Sequence, residues 1–288
     1  KDKIRTDFSF MEGPIHKVQP GVAAEPGKII LEWMPKPDLV TARTPGLEYL
    51  SLIDHILIQQ EYHLAEVVLG WEAKNKYSLR NKAGQQVYYA FEESGCLTRQ
   101  CCGPYRGFTM HIVDNSNKEV MRFVRPFMCC AGFTCCAVPG SCCSFEVIVE
   151  APPGNVIGTV QQRQTPCVPG FYVNDADGAA VMQVMPPHLY RMCSCSDKSF
   201  DVQTLEGEKV GEICKKWSGA LKEFFTDADT FALSFPLDMS IETKATMIGA
   251  AFLIDFTCFE REFRRLLIFQ FIKFVYQIVY LIINFRKR

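Results

Sequence analysis

The sequence predicts a mostly β protein: a closed antiparallel barrel of about twelve strands around a central apolar helix. Three observations lead there. Alternating apolar residues separated by turn residues recur from Lys76 to Ile213. The run 245–259 is strongly apolar and carries one charged residue, Asp255. The strands come without partner helices, so the sheet closes on itself and the apolar run fills a lumen too wide for the strands' own side chains.

Taken in order, residues 1–45 carry Pro14, Pro20, Pro26, Pro35, Pro37 and Pro45 and no sustained periodicity. Prolines at that spacing break any long helix. This stretch reads as a flexible leader, with recruitment of protein partners as the alternative, although no PxxP motif stands in it. The main domain is expected over 46–260. After Pro45 and Gly46, Leu47, Leu50, Ile53 and Leu57 stand at helical spacing while Ile56 and Ile58 alternate, so a helix passes into a strand.

Five strand–turn–strand units follow: 76–79 with 87–91, 108–113 with 120–124, 145–149 with 156–160, 172–173 with 180–184, and 200–204 with 210–213. Each turn between them carries Asn, Asp or Gly, or in one case Leu205 to Glu208 with Gly207. Residues 231–235 alternate once more and supply the last strand.

A straight helix over 245–259 reaches ~22 Å, short of a hydrocarbon core of ~30 Å. Burial in protein is therefore the expectation, with membrane insertion of 244–260 as the alternative. Gly249, Ala250 and Ala251 give the run a slim waist. Lys244, Gly249, Asp255 and Phe259 are its candidate functional positions. Beyond it, 261–288 is a basic and apolar tail. Residues 266–285 are apolar apart from Gln270, Lys273, Gln277 and Asn284, with Arg261, Arg264 and Arg265 before them and Arg286, Lys287 and Arg288 after. That length suits a membrane span. Lys273 costs ~2.5–3.5 kcal/mol near mid-bilayer, which favours an interfacial helix as the other reading.

Apolar content of 48% and a net charge of −1 describe a globular protein for which nucleic acid is not the main partner. The chain opens KDKIRTDF, without an apolar signal region, so a cytosolic compartment is expected. Fourteen cysteines are anomalous there, because disulfides are rare in the cytosol. Cys129, Cys130, Cys135, Cys136, Cys142 and Cys143 form three adjacent pairs in one loop beside Phe127, Met128 and Phe133. Zinc sites favour C-x₂₋₄-C spacing, often with histidine, and this stretch has none. S-palmitoylation fits better, with zinc and inert thiols as the alternatives.

Residues 227–238 place Asp227, Asp229 and Asp238 at positions 1, 3 and 12 of a twelve-residue calcium-loop pattern, with Phe231 and Leu233 at positions 5 and 7. Position 6 is Ala232 where such loops use Gly, so EF-hand geometry is not expected, and an acidic turn leading into a strand is the alternative. No nucleophile motif, HExxH or P-loop is present, so covalent catalysis is not expected.

PGLEYL at 45–50, the paired cysteines before FEVIVEAPPG at 145–154, FTDADTFALSFPLD at 225–238 and KATMIGAAFLIDF at 244–256 stand in the order found in phospholipid scramblases. The chain resembles that family over about residues 45–260. The resemblance implies a tubby-like barrel and Ca²⁺-stimulated, ATP-independent movement of phospholipids between leaflets. It implies palmitate on the paired cysteines, Ca²⁺ at 227–238, and a nuclear-import segment at 211–220 in which Glu212, Cys214 and Ala220 depart from the pattern. The expected location is the cytoplasmic face of a membrane, most naturally the plasma membrane, with the nucleus or another organelle as alternatives. A homo-oligomer is compatible with this. A palmitoylated, membrane-anchored adaptor acting indirectly on lipid distribution is the alternative function.

Overall fold

Four of the five hairpin turns share one local solution that sets the register of the sheet, and the turn Pro152–Asn155 is a variant of it. In the computed structural model, a backbone bond joins the first and fourth turn residues, as from Gly84 N–H to the Asn81 carbonyl (3.0 Å) and from Gly178 N–H to the Asp175 carbonyl (3.1 Å). In three turns an Asn or Asp side chain reinforces it. Asp114 Oδ1 accepts from the amides of Ser116 and Lys118, as Asn81 and Asp175 do for their own turns. In four turns the fourth residue is left-handed, a glycine in three and Asn117 with φ 58° in the other, whereas in the turn Pro152–Asn155 the left-handed residue is the third, Gly154 with φ 93°. A register shift accompanies each turn, and in four of them it is the bulge expected of a type I turn closed by a left-handed residue.

The structure describes residues 32–37, 44–61, 75–93, 105–128, 144–165, 168–187, 196–216 and 230–259. The barrel belongs to the unit Trp33–Arg288. Its strands are β1 (His55–Glu61), β2 (Lys76–Arg80), β3 (Gln86–Glu93), β4 (Phe108–Val113), β5 (Glu119–Arg125) and β6 (Glu146–Glu150). They continue with β7 (Val156–Arg163), β8 (Gly170–Asp175), β9 (Ala180–Met185), β10 (Lys198–Gln203), β11 (Lys209–Lys216) and β12 (Thr230–Ser234). All neighbours are antiparallel and sequential, and β1 pairs with β12 to close the barrel. The expected fold is the observed one. The segment at 46–58 is a 3-10 turn, Glu48–Leu52, leading into β1.

Helix α1 (Ile241–Ile254) fills the lumen and ends in a π-helical turn, Asp255–Phe259. It begins four residues before the apolar run does. Ser240 caps it by accepting from the Thr243 amide at 3.1 Å, a polar start that hydropathy does not show. Every residue from Lys244 to Phe259 is buried. The fit is tight at Gly249, where an added Cβ would lie 2.8 Å from Val149 Cγ2. Phe252 packs edge-on against Tyr77 (ring centroids 5.0 Å) and near Phe123 (5.7 Å).

The barrel has two unlike ends. At the turn end lie the five short hairpins, the approach to α1 and the 3-10 turn, whose Tyr49 and Leu50 are buried. At the open end lie the longer connections 62–75, 94–107, 126–145, 186–197 and 217–229, the short connection 164–169, and the exit of the chain after Phe259.

Candidate functional site

Two ionisable residues anchor the plug, one toward each end. Near the turn end, the fully buried Lys244 ammonium donates to three carbonyls: Leu50 (3.0 Å), Ile53 (3.1 Å) and Leu237 (2.8 Å). The Phe235 ring lies 5.3 Å away. Burial pushes the Lys244 pKa below the ordinary lysine value, and the charges of Asp238 and Asp54 draw it partly back. Toward the open end, Asp255 lies 3.6 Å from Lys215 Nζ and accepts from the Tyr77 hydroxyl at 3.4 Å.

Around Asp255 the inward-facing stripes of the strands turn polar. Gln60, Glu92, Arg125, Gln162 and Lys198 are buried at the open ends of β1, β3, β5, β7 and β10. Arg106 joins them from the approach to β4 and grips Glu92 through two bonds, Nε to Oε1 (2.9 Å) and Nη2 to Oε2 (3.2 Å). Asn75 donates to Glu92 Oε2 (2.6 Å) and accepts from Gln60 (3.0 Å). The cations also stack on aromatic rings: Arg106 on Phe256 (4.9 Å), Arg125 on Phe145 (4.3 Å) and Lys215 on Phe259 (4.4 Å). This collar surrounds the carboxyl end of the helical plug, where the peptide dipoles present partial negative charge, so cations are favoured there.

Of the expected calcium residues, the structure describes Phe231, Leu233 and Asp238. Phe231 and Leu233 are β12 residues with side chains buried against the core. Asp238 is exposed beyond the turn end. Asp227 and Asp229 lie outside the described residues. Strand β12 spans about 15 Å, whereas calcium oxygens lie at about 2.4 Å from the ion. Asp238 and Thr230, the first described residue of the segment, therefore stand at opposite ends of β12. Among the described residues no group of three potential ligands is poised for a metal ion.

Cys129, Cys130, Cys135, Cys136, Cys142 and Cys143 lie outside the described residues, in the connection whose described ends, Phe127–Met128 and Ser144–Phe145, belong to the open end. Of the expected import segment, 211–216 is strand β11, paired on both sides by β10 and β12, and 217–220 lies outside the described residues. The tail 260–288 lies outside them as well, and among the described residues no helix is long and apolar enough to cross a membrane. Of the helix positions, Lys244, Gly249, Asp255 and Phe259 are all buried inside the barrel.

The collar was not legible as a unit. Gln60, Asn75, Glu92 and Arg106 are ordinary polar residues in four separate stretches, and only strand register brings them together. The one available signal is that an inward stripe ends in a charged residue, as Tyr88, Ala90, Glu92 does.

A family model described as Scramblase matches residues 34–261. The chain is 46% identical over 229 residues to phospholipid scramblase 1 of Homo sapiens, covering 79% of this chain and 70% of that one. It is 44% identical to phospholipid scramblase 2 of Bos taurus, covering 79% and 76%, and 36% identical to human phospholipid scramblase 4, covering 87% and 75%. No solved structure matches. By a family match over most of its length and by relatives well above 30% identity, this chain belongs to the scramblase family.

Proposed function

We propose that this protein moves phospholipids between the two leaflets of a membrane, stimulated by Ca²⁺, without ATP and without covalent change to the lipid. Family membership carries the reading, because the similar proteins are named phospholipid scramblases. In this proposal palmitate on the paired cysteines holds the barrel at the cytoplasmic face, and Ca²⁺ acts through the carboxylates of Asp227 and Asp229. Protein partners recruited by the leader and self-association belong to the same proposal.

The geometry constrains where lipid would pass. The lumen holds α1 along its length, and the Lys244 and Asp255 contacts would both be lost if the helix left. A lipid headgroup route therefore runs outside the lumen while the plug is seated. The same observation favours a second reading, a membrane-anchored adaptor whose effect on lipid distribution is indirect. Fluorescent-lipid flux in liposomes carrying the full chain separates the two. Calcium-dependent flux lost in Asp227→Ala/Asp229→Ala is the expected result. Flux no greater than in empty liposomes overturns direct scrambling and leaves the adaptor.

A further inference from the structure

We infer that three successive turns at the turn end form a docking surface for a partner protein, which contributes a helix with apolar and basic side chains at a seven-residue repeat. This goes beyond lipid movement and does not depend on it. The first observation is a repeated turn pattern. Turns 175–178, 204–207 and 236–239 are each closed by a bond from the fourth amide to the first carbonyl, at 3.1, 3.1 and 3.2 Å. In each, the second residue is apolar and the third acidic: Ala176 and Asp177, Leu205 and Glu206, Leu237 and Asp238. Turns 81–84, 114–117 and 152–155 lack that pair. The backbone of such a turn does not require an apolar second residue. Leu205 and Leu237 are 48% and 59% exposed, so neither serves the core.

Position and charge agree. Strands β8 to β12 are successive in the wall and β1 follows, so the three turns lie side by side along one arc of the rim. Val181 at the start of β9 and Leu52 in the 3-10 turn extend the exposed apolar set of that arc. Asp177, Glu206, Glu208 and Asp238 are exposed there, and none forms an ion pair among the described residues. Lys209 beside them is already held by Asp201 (2.6 Å) and Glu212 (3.1 Å). The arc therefore suits a cationic partner and repels an anionic bilayer. Spacing selects the partner's shape. One and a half to two strand widths separate neighbouring turns, roughly 8–12 Å along the rim. A helix rises ~10.5 Å in seven residues. A helix with a leucine beside a lysine or arginine in each heptad meets one turn with each repeat.

The test uses the full chain without lipid and a synthetic three-heptad helical peptide with one Leu beside one Arg per heptad. Two control peptides replace Leu by Ser or Arg by Glu. In fluorescence anisotropy the Leu–Arg peptide is expected to bind about tenfold more tightly than either control, and more weakly as salt rises. Hydrogen exchange is expected to slow at 176–179, 205–208 and 237–240. Leu205→Ser/Leu237→Ser and Asp177→Asn/Glu206→Gln are each expected to weaken binding about tenfold, and Val156→Ser, elsewhere on the rim, to leave it within about twofold. These side chains are exposed, and an unchanged thermal midpoint confirms that each variant folds. No binding of the Leu–Arg peptide, equal binding of the Ser control, or protection away from these turns overturns the assignment. Protection of the same amides by phosphatidylserine vesicles, lost in Leu205→Ser/Leu237→Ser, gives the arc to a bilayer and overturns it as well.

Discussion

Lys244 is the residue on which the turn end is built. Its three carbonyl acceptors come from the 3-10 turn region and the approach to α1, so one ammonium ties the plug to the rim. Lys244→Met leaves these buried acceptors short of a donor and is expected to cost about 2–3 kcal/mol, read as a lower denaturant midpoint with unchanged slope. The pH dependence has a definite sign. The folded pKa lies below the unfolded value of about 10.4, so between the two the unfolded chain binds more protons and stability rises with pH. The gap in unfolding free energy between wild type and Lys244→Met should widen as pH climbs toward 10.5, and parallel curves would count against the assignment. Arg106 poses the converse case. Arg106→Leu leaves the Glu92 carboxylate buried without its bidentate partner, an expected loss of about 3–5 kcal/mol by denaturant unfolding.

At the scale of elements, two glycines separate packing from backbone strain. Gly249 is helical and its missing Cβ makes room for Val149 and Phe123. Gly249→Ala gains about 1 kcal/mol of helix propensity but forces the wall to shift, for an expected net loss of about 1–2 kcal/mol. Gly178 has open space around it and φ of 81°. Gly178→Ala is therefore expected to lose about 1–2 kcal/mol from backbone alone. A companion change of Val149 to Ala should restore part of the Gly249→Ala loss, and no change elsewhere in the turn should rescue Gly178→Ala. Paired thermal melts check both. The strands and turns were legible because each rests on local chemistry: alternation within a strand, Asn81, Asp114 or Asp175 at the start of a turn, Gly84 or Gly178 at its end. The start of α1 was not, because hydropathy stops at Lys244 while the helix is set by Ser240. The calcium pattern and the β12 pattern overlap in the same residues, and Phe231 and Leu233 went to the strand because burial of two large apolar side chains outweighs a loop that lacks the usual Gly.

For the whole molecule, wall and plug form one cooperative structure. The aromatic contacts of Phe252 with Tyr77 and Phe123, and of Phe259 with Phe200 and Phe231, link the plug to opposite parts of the wall. Amides of 245–254 are expected to exchange only through global unfolding, at the same limiting free energy as those of β4 and β5, with vesicles and Ca²⁺ present or absent. Faster exchange of the helix alone on adding Ca²⁺ and vesicles would show that it leaves the barrel. The barrel and its plug were legible from the count of strands and the apolar run 245–259. The difference between the ends was not, because it arises only when successive connections are sorted by strand direction.

The pairing of β1 with β12 has a consequence for the order in which the protein comes off the ribosome. Eleven strands are made before the one that joins the ends, and the segment that occupies the interior is made after that. Until residue 234 has emerged the nascent chain holds a sheet with two unsatisfied margins, and until residue 259 has emerged an uncovered greasy face, the kinds of surface that recruit chaperones. A stop codon between β12 and α1 removes the filling from a finished wall, an earlier one leaves the wall open as well, and such shortened chains should be found with the folding machinery or in aggregates.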